Sequence, residues 1–207
     1  MCAGRSSWRY SPFIHRTRTT SRRPVPLGRR PWDVVFVLFF LVNLGFITYV
    51  VDLEQLVIAD PANFRYPVWP PAPLVDLVHW WGRNFDPLQL ARPPFWRMTI
   101  WIDVVFFGPF YAVAIYAFLR GRDWIRLPAL FWAGLMTANV LIILMEERYG
   151  TYATPRWGIV LAANLPWLVL PAALIVRMAW RLHPFTEPLR DSDEDPRGSS
   201  SARRSSG

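Results

Sequence analysis

The chain has 207 residues, 53% of them hydrophobic, and a formal net charge of +8 at pH 7. Its length suits one compact domain, but this apolar content and a mean hydropathy of +0.17 are high for a soluble one. All 23 basic residues are Arg, and no zinc-finger, helix-turn-helix or RNA-binding signature accompanies them. The composition therefore indicates a membrane protein and excludes nucleic acid as a partner.

The apolar residues form four blocks of about 18–24 residues, the length at which an α-helix crosses ~30 Å of hydrocarbon. These blocks are Val34–Val51, Met98–Leu119, Leu127–Met145 and Trp157–Trp180. Buried helices of a soluble core are the alternative, but the chain has too little polar helix to cover them. We predict an all-α fold, a polytopic membrane four-helix bundle.

The basic residues are unevenly placed along the chain. Eight Arg lie in residues 1–31, and Arg120, Arg122 and Arg126 fill the loop between predicted helices two and three, whereas acids follow helices one and three. By the positive-inside rule, both termini are expected in the cytoplasm. A cleavable signal peptide is the alternative for the first block, which is long for that role and has no A-x-A site before Asp52.

Composition divides the chain into three parts. Residues 1–31 and 183–207 are polar and without hydrophobic periodicity, so both are predicted to be disordered tails around a membrane domain at 32–182. Within that domain, the long first loop contains eight prolines. Pro73 opens a predicted amphipathic helix in this loop, and Asp86 followed by proline ends it. Its apolar face is predicted from i, i+3, i+4, i+7 spacing and consists of Leu74, Leu77, Val78, Trp81 and Phe85.

Four acids stand inside or at the edges of the apolar blocks: Asp52, Asp86, Asp103 and Glu146. An ionisable group in a membrane segment costs roughly 2.5 kcal/mol or more, so it usually faces a protein interior or a cavity and marks a functional site. A hydrated acid near the membrane surface is the alternative for Asp52, Asp103 and Glu146. The four acids are the first candidates for ligand binding.

Polar and aromatic residues in helix four add to these candidates. Asn164 and Trp167 are three residues apart and share a helix face. Interhelical hydrogen bonding and packing are the alternatives for this pair. His15, His79 and His183 have no partner at metal-ligand spacing, and no nucleotide or hydrolase motif occurs. We expect no metal and no cofactor.

Four stretches together resemble the EXPERA family, which includes the emopamil-binding protein and the sigma-2 receptor. They are VVDLEQL, YPVW, NFDPLQLARPPFWR and WIDVVFFGPFYAVAIYAFLRGRDWIRLPAL. The resemblance covers roughly residues 33–182, including all four predicted helices, and the spacing of the acids is most similar to the sigma-2 receptor type. It implies an endoplasmic reticulum membrane in a eukaryote and the cytoplasmic membrane in a bacterium.

The resemblance also implies roles for single residues. Asp52 matches the acid that pairs with a ligand's cationic amine, Asp86 matches its hydrogen-bonded partner acid, and Asp103 matches a family Glu. The segment NLPWLVLP at 164–171 is similar to the emopamil-binding protein, in which the matching Asn and Trp line a Δ8–Δ7 sterol isomerase site. That enzyme has a His in helix one, whereas Val34–Val51 has none.

Three functions remain open on the sequence alone. The first is binding of a sterol-like lipid or a cationic amphiphilic small molecule among paired carboxylates. The second is a sterol double-bond isomerase in which Asp52 and Asp103 are catalytic and move protons. The third is an interaction protein without a ligand. Membrane lipids are the expected surroundings, and a second copy of the chain, as a homodimer, is the protein partner considered.

The charge asymmetry gives a testable topology. Cysteines introduced singly at Ser7 and Ser200, in a Cys2→Ser background, are expected to resist an impermeant thiol reagent in intact cells and to react after lysis. Labelling of either position in intact cells would contradict the predicted orientation.

Overall fold

The computed structural model describes residues 21–189, and the larger part of both predicted tails lies outside this range. The prediction of an all-α fold with four membrane helices is confirmed: the described chain is mostly helical, and four helices are long and apolar enough to cross a membrane. Numbered in chain order, these spans are Pro31–Val57, Pro94–Arg120, Asp123–Tyr149 and Trp157–Ala179.

The spans are built from shorter helical pieces. The α-helices are α1 (Pro31–Val42), α2 (Leu53–Val57), α3 (Ala72–Asn84), α4 (Pro87–Ala91), α5 (Pro94–Ile102), α6 (Gly108–Arg120), α7 (Arg126–Tyr149), α8 (Trp157–Asn164) and α9 (Pro166–Ala179). Short 3-10 turns at Leu27–Arg29 and Asp123–Ile125 and two three-residue strands, β1 (Arg22–Pro24) and β2 (Thr186–Pro188), complete the described elements.

Spans 1 and 2 each contain a π-helical segment. These segments are Asn43–Asp52, between α1 and α2, and Asp103–Phe107, between α5 and α6. The i→i+5 bonding of a π-helix changes the direction in which side chains point, and such segments are frequent at functional sites. The apolar pattern indicates the length of a span but not whether its hydrogen bonding is α- or π-helical. The sequence therefore predicts regular α-helices here.

The centre of the bundle is aromatic. The buried ring of Phe40 lies 5.5–5.9 Å, between centroids, from those of Phe110, Tyr111, Phe118 and Trp132, mostly edge to face. Such geometry stabilises a core beyond its buried area. This cluster joins spans 1, 2 and 3.

The packed part of the chain extends beyond the predicted domain limits. Residues Pro24–Glu187 form one compact unit that holds all four spans, and residues 21–23 and 188–189 belong to a second unit. Residues 24–31 and 183–187 therefore belong to the packed unit and not to the predicted tails. The reason is that Arg30 and Phe185 are both buried, with the guanidinium 4.9 Å from the ring centroid.

The first loop carries the predicted amphipathic helix, α3, and a second short helix, α4. Val75, Val78 and His79 form part of the buried face of α3, whereas Leu77 is exposed. The predicted face, built on Leu74, Leu77, Val78, Trp81 and Phe85, is thus rotated from the observed one. Periodicity alone predicts an apolar face but cannot place a buried histidine on it.

A buried ion pair holds this loop against span 1. Nη2 of Arg92 lies 2.9 and 2.7 Å from the two carboxylate oxygens of Glu54, and Nε2 of His79 lies 2.8 Å from Oε1. The same guanidinium donates to the carbonyl oxygens of Ile58 and, at 3.1 Å, Gln89. Nη1 and Nη2 of Arg92 thus join the end of α4 to span 1 and the residue that follows it, while Nε contacts α4 itself.

Removing one member of this ion pair is expected to destabilise the fold. In Arg92→Gln the Glu54 carboxylate loses its cation while buried, and breaking a buried pair typically costs about 3–5 kcal/mol. Thermal unfolding in detergent measures the loss, with Arg97→Gln, an exposed arginine nearby in the chain, as the matched control. Equal unfolding midpoints for the two variants would contradict the structural role of Arg92.

Candidate functional site

A cavity of about 380 Å³ lies among the four spans and the first loop. Its walls are largely apolar and aromatic. The polar side chains that line it are Asp52, Gln55, Asp86, Gln89, Thr99, Asp103, Asn139 and Asn164, together with the indoles of Trp80, Trp81, Trp96 and Trp167. The volume is within the range of about 300–1,000 Å³ typical of small-molecule sites.

Three of the four predicted acids meet in this cavity. Asp52, Asp86 and Asp103 are 8%, 5% and 9% exposed. Within residues 21–189, no Arg or His side chain lines the cavity with them. Burial of a carboxylate is costly unless a cation, a proton or hydrogen-bond donors compensate it. The cavity is therefore a region of negative charge or of bound protons.

Asp103 is held by a hydroxyl from the neighbouring span. Thr48 Oγ1 donates to Asp103 Oδ1 at 2.5 Å, and both residues belong to the π segments. Gly108 permits this close approach: a Cβ at that position would lie 2.7 Å from Tyr49 Oη and 3.1 Å from Thr48 Cγ2. A side chain larger than glycine would displace the Tyr49 ring and press on Thr48, whose hydroxyl makes this hydrogen bond.

Asp52 has the fewest contacts of the three cavity acids. Its carboxylate makes no hydrogen bond or ion pair with any other residue of the described range 21–189. Its electrostatic neighbour is Asp103, whose charge repels that of Asp52. No hydrogen bond links Asp52 to Asp86 among those residues, so the predicted pair of hydrogen-bonded acids is not what the geometry gives. Sequence order could not reveal which acids face each other.

Asp86 has a structural role and also lines the cavity. It caps α4, and its Oδ1 accepts from the backbone N–H of Gln89 at 3.3 Å. Burial raises the pKa of Asp86 to about 6, although hydrogen bonding to the backbone of Gln89 and Leu88 and to Glu147 acts in the opposite direction. Asp86 is therefore mostly ionised at neutral pH and mostly neutral below pH 6.

The acid next to Asp86 is Glu147, and the sequence prediction named Glu146 instead. Glu147 is buried and its carboxyl group hydrogen-bonds to that of Asp86. No N–H group and no hydroxyl of residues 21–189 donates to either of its oxygens. Both Glu146 and Glu147 lie outside the cavity lining, and Glu146 accepts from the Tyr152 backbone N–H at 3.1 Å. Glu147 lies three and seven residues after buried Leu144 and Val140, and that helical spacing was the available signal.

Asn164 and Trp167 line the cavity from span 4. Trp167 Nε1 donates to Asn43 Oδ1 at 2.8 Å, and Asn164 Nδ2 donates to the Val160 carbonyl oxygen at 2.9 Å. Asn43, buried in span 1, is a positioning residue that the sequence did not single out. The hydrogen bond from the indole orients the Trp167 ring, so its face and edge have fixed positions in the cavity wall.

Metal ligation has no support from the histidines of the described range. His79 is bound to Glu54 behind the cavity, and His183 contacts Asp123 at 3.2 Å. Across residues 21–189, no group of three or more His, Cys, Asp and Glu side chains is placed to hold a metal ion.

Comparison with known proteins adds a family and several relatives. The model of the EXPERA family, the EXPanded EBP superfamily, matches residues 73–178, just over half of the chain. Sigma intracellular receptor 2 of Xenopus tropicalis is 26% identical over 157 residues, 70% of this chain and 85% of that protein. The proteins of that name from Macaca fascicularis and Homo sapiens are 33% and 34% identical.

These two mammalian alignments are shorter. They cover 59% and 58% of this chain and 65% and 64%, slightly under two thirds, of the macaque and human proteins.

The bond between Thr48 and Asp103 gives a stability prediction. Thr48→Val keeps the side-chain shape but leaves a buried carboxyl group without its donor, and we expect a loss of about 2 kcal/mol in unfolding free energy. Thr99→Val is the matched control, because its hydroxyl donates to the Trp96 carbonyl oxygen within the same helix at 2.8 Å. Denaturant unfolding in detergent compares them, and equal effects would argue against a special role for Thr48.

Proposed function

Because the chain belongs to the EXPERA family, we propose that it binds a sterol-like lipid or a cationic amphiphile in the cavity among its four membrane spans. It is an integral membrane protein, and at the family level a membrane sterol-binding protein. The observation that carries the finer proposal is the lining of the cavity: three buried carboxylates, apolar walls and no basic side chain from residues 21–189.

Asp52 is the proposed partner of a ligand cation. Glu54, two residues later, is already saturated by Arg92 and His79, whereas the Asp52 carboxylate makes no such contact within the described residues. A ligand ammonium group would relieve the repulsion between Asp52 and Asp103 and would supply the missing positive charge. Attraction at close range is strong in a buried site because water does not screen it.

The remaining walls suit the apolar part of such a ligand. Four indoles line the cavity, at Trp80, Trp81, Trp96 and Trp167. Aromatic rings bury large areas of a rigid hydrocarbon skeleton, and an indole face also attracts a cation by about 2 kcal/mol or more when both are desolvated. An amphiphile with a ring system and a basic amine therefore matches the cavity in shape and charge.

The orientation in the membrane is part of the same proposal. Positive charge at the N-terminal part and in the loop between spans 2 and 3 supports cytoplasmic termini, with the first loop on the opposite side. In a eukaryotic cell the family resemblance favours the endoplasmic reticulum membrane, and in a bacterium the cytoplasmic membrane.

Substitution of the acids tests the binding proposal. Asp52→Asn is expected to weaken binding of a quaternary ammonium amphiphile at least tenfold, about 1.4 kcal/mol, because the buried cation loses its counter-charge. Asp86→Asn is expected to weaken it less, since asparagine retains the capping oxygen and Asp52 retains its charge. Equilibrium binding to purified protein in detergent gives both values.

The matched control is Asp76→Asn. Asp76 is on α3 of the first loop but outside the cavity, and its exposed carboxylate accepts from Tyr66 Oη at 2.7 Å. This variant loses the same charge and is expected to bind normally. Equal affinity of the wild-type protein and Asp52→Asn, or an equal loss in Asp76→Asn, would remove the proposed amine pairing.

A sterol double-bond isomerase is the second candidate function. The observation that favours it is that Asp52, Asp103, Asn164 and Trp167 line the same cavity. One carboxyl group would protonate an olefinic carbon, the Trp167 face would stabilise the resulting cation, and a second carboxylate would remove a proton from a neighbouring carbon. No histidine of the described chain lines the cavity to exchange protons near neutral pH. Binding without turnover is therefore our first choice.

Expression in cells that lack their own sterol isomerase separates the two functions. We expect bound sterol-like lipid in the purified protein, measured by mass spectrometry of a lipid extract, and no Δ7 sterol formed in the cells. The opposite result would be Δ7 sterol that is restored by the wild-type protein and by Asp76→Asn but lost in both Asp103→Asn and Trp167→Ala. It would favour the isomerase over the proposal of binding without turnover.

A further inference from the structure

A second hollow, of about 500 Å³, lies where span 1 begins and span 4 ends. Span 1 enters it at Pro31, about twenty residues from Asp52, so the hollow and the cavity occupy different levels of the bundle. At 1.5 Å per residue this separation is roughly 30 Å along the helix. The two sites therefore share no residue and need no common ligand.

The floor of the hollow is a rigid network around Asp33. Arg30 Nη1 lies 2.6 Å from Asp33 Oδ2, and Arg177 Nε lies 3.1 Å from Oδ1. Arg30 Nη2 also donates to the Phe118 carbonyl oxygen, and Arg177 Nη2 to that of Pro184. These two guanidinium groups are held in place by partners within the protein, and the single carboxylate of Asp33 offsets half of their charge.

Two further arginines line the hollow without such partners. Arg29 and Arg181 are exposed, and neither guanidinium group makes a hydrogen bond, ion pair or ring contact with any residue in the range 21–189. Counting Arg30 and Arg177, four guanidinium groups face two carboxylates, Asp33 and Glu187. The hollow therefore has an excess of positive charge, and Arg29 and Arg181 hold the donors that remain available.

The rim of the hollow has the character of a membrane surface. Trp32 and Trp180, which both line it, are 77% and 82% exposed. Tryptophan is favoured at the level of lipid headgroups, where the indole is partly in hydrocarbon and partly in water. Val176, also in the lining and exposed, continues the wall toward the outer surface of span 4. An occupant of this hollow would meet charge at one end and hydrocarbon at the other.

We propose that this hollow binds the phosphate headgroup of an anionic phospholipid. Arg29 and Arg181 would contact the phosphate oxygens, because the planar guanidinium fork matches them and remains charged at all physiological pH values. Trp32 and Trp180 would flank the glycerol backbone, and the acyl chains would follow the apolar outside of spans 1 and 4. Basic pockets between membrane helices at the cytoplasmic side are suited to such headgroups, and the proposed orientation puts the hollow on that side.

Native mass spectrometry of the full chain in detergent tests this site. The protein is titrated with dioleoyl phosphatidylglycerol and with dioleoyl phosphatidylcholine, which share acyl chains and differ in net charge. We expect at least a fivefold preference for the anionic lipid. In the double variant Arg29→Gln with Arg181→Gln, we expect that preference to fall below twofold.

The matched control is the double variant Arg65→Gln with Arg97→Gln, which removes two exposed arginines elsewhere and leaves all other charges in place. The control is expected to keep the wild-type preference, and thermal unfolding checks that both double variants are folded. An equal loss of the preference for anionic lipid in both double variants would show that only the net charge of the protein matters. That result would contradict the proposed site.

Two other outcomes also decide against the proposal. Absence of any preference in the wild-type chain would remove the headgroup site. Competition by inorganic phosphate at concentrations that leave phosphatidylcholine binding unchanged would assign the hollow to a free anion instead of a lipid.

Discussion

The buried ion pair between Glu54 and Arg92 determines where the first loop lies. Glu54 belongs to span 1, and Arg92 follows α4, so this contact brings the loop helices onto the bundle. The loop in turn supplies Trp80, Trp81 and Asp86 to the cavity. Without the ion pair the cavity would lack one wall. A charged contact outside the cavity thus sets the form of the site inside it.

Four of the buried acids fall into two groups. Asp33 and Glu54 are paired with arginines and hold elements together. Asp52 and Asp103 line the cavity, and no arginine or histidine of residues 21–189 lines it with them. Burial of the carboxylates costs desolvation energy in both groups, but only in the first does an arginine of the described protein offset it. This contrast distinguishes structural acids from candidate binding acids without reference to sequence motifs.

Hydropathy and the cost of charge in a membrane were enough to predict the four spans and to single out Asp52, Asp86 and Asp103. They could not predict the π segments, because the winding of a helix depends on its tertiary neighbours. They also could not choose between Glu146 and Glu147, which are adjacent in sequence and face opposite environments at the end of α7. The contacts among acids likewise depend on how the spans pack.

The position of Asp86 has a consequence for how the loop and the cavity are linked. Its Oδ1 holds the first turn of α4, and the residue also lines the cavity. A ligand cation or donor that binds the Asp86 carboxylate therefore competes with the Gln89 backbone N–H for the same oxygen. Conversely, protonation near pH 6 weakens the helix cap and the negative charge of the cavity together. One side chain, that of Asp86, thus links ligand binding in the membrane cavity to the order of α4 outside the membrane.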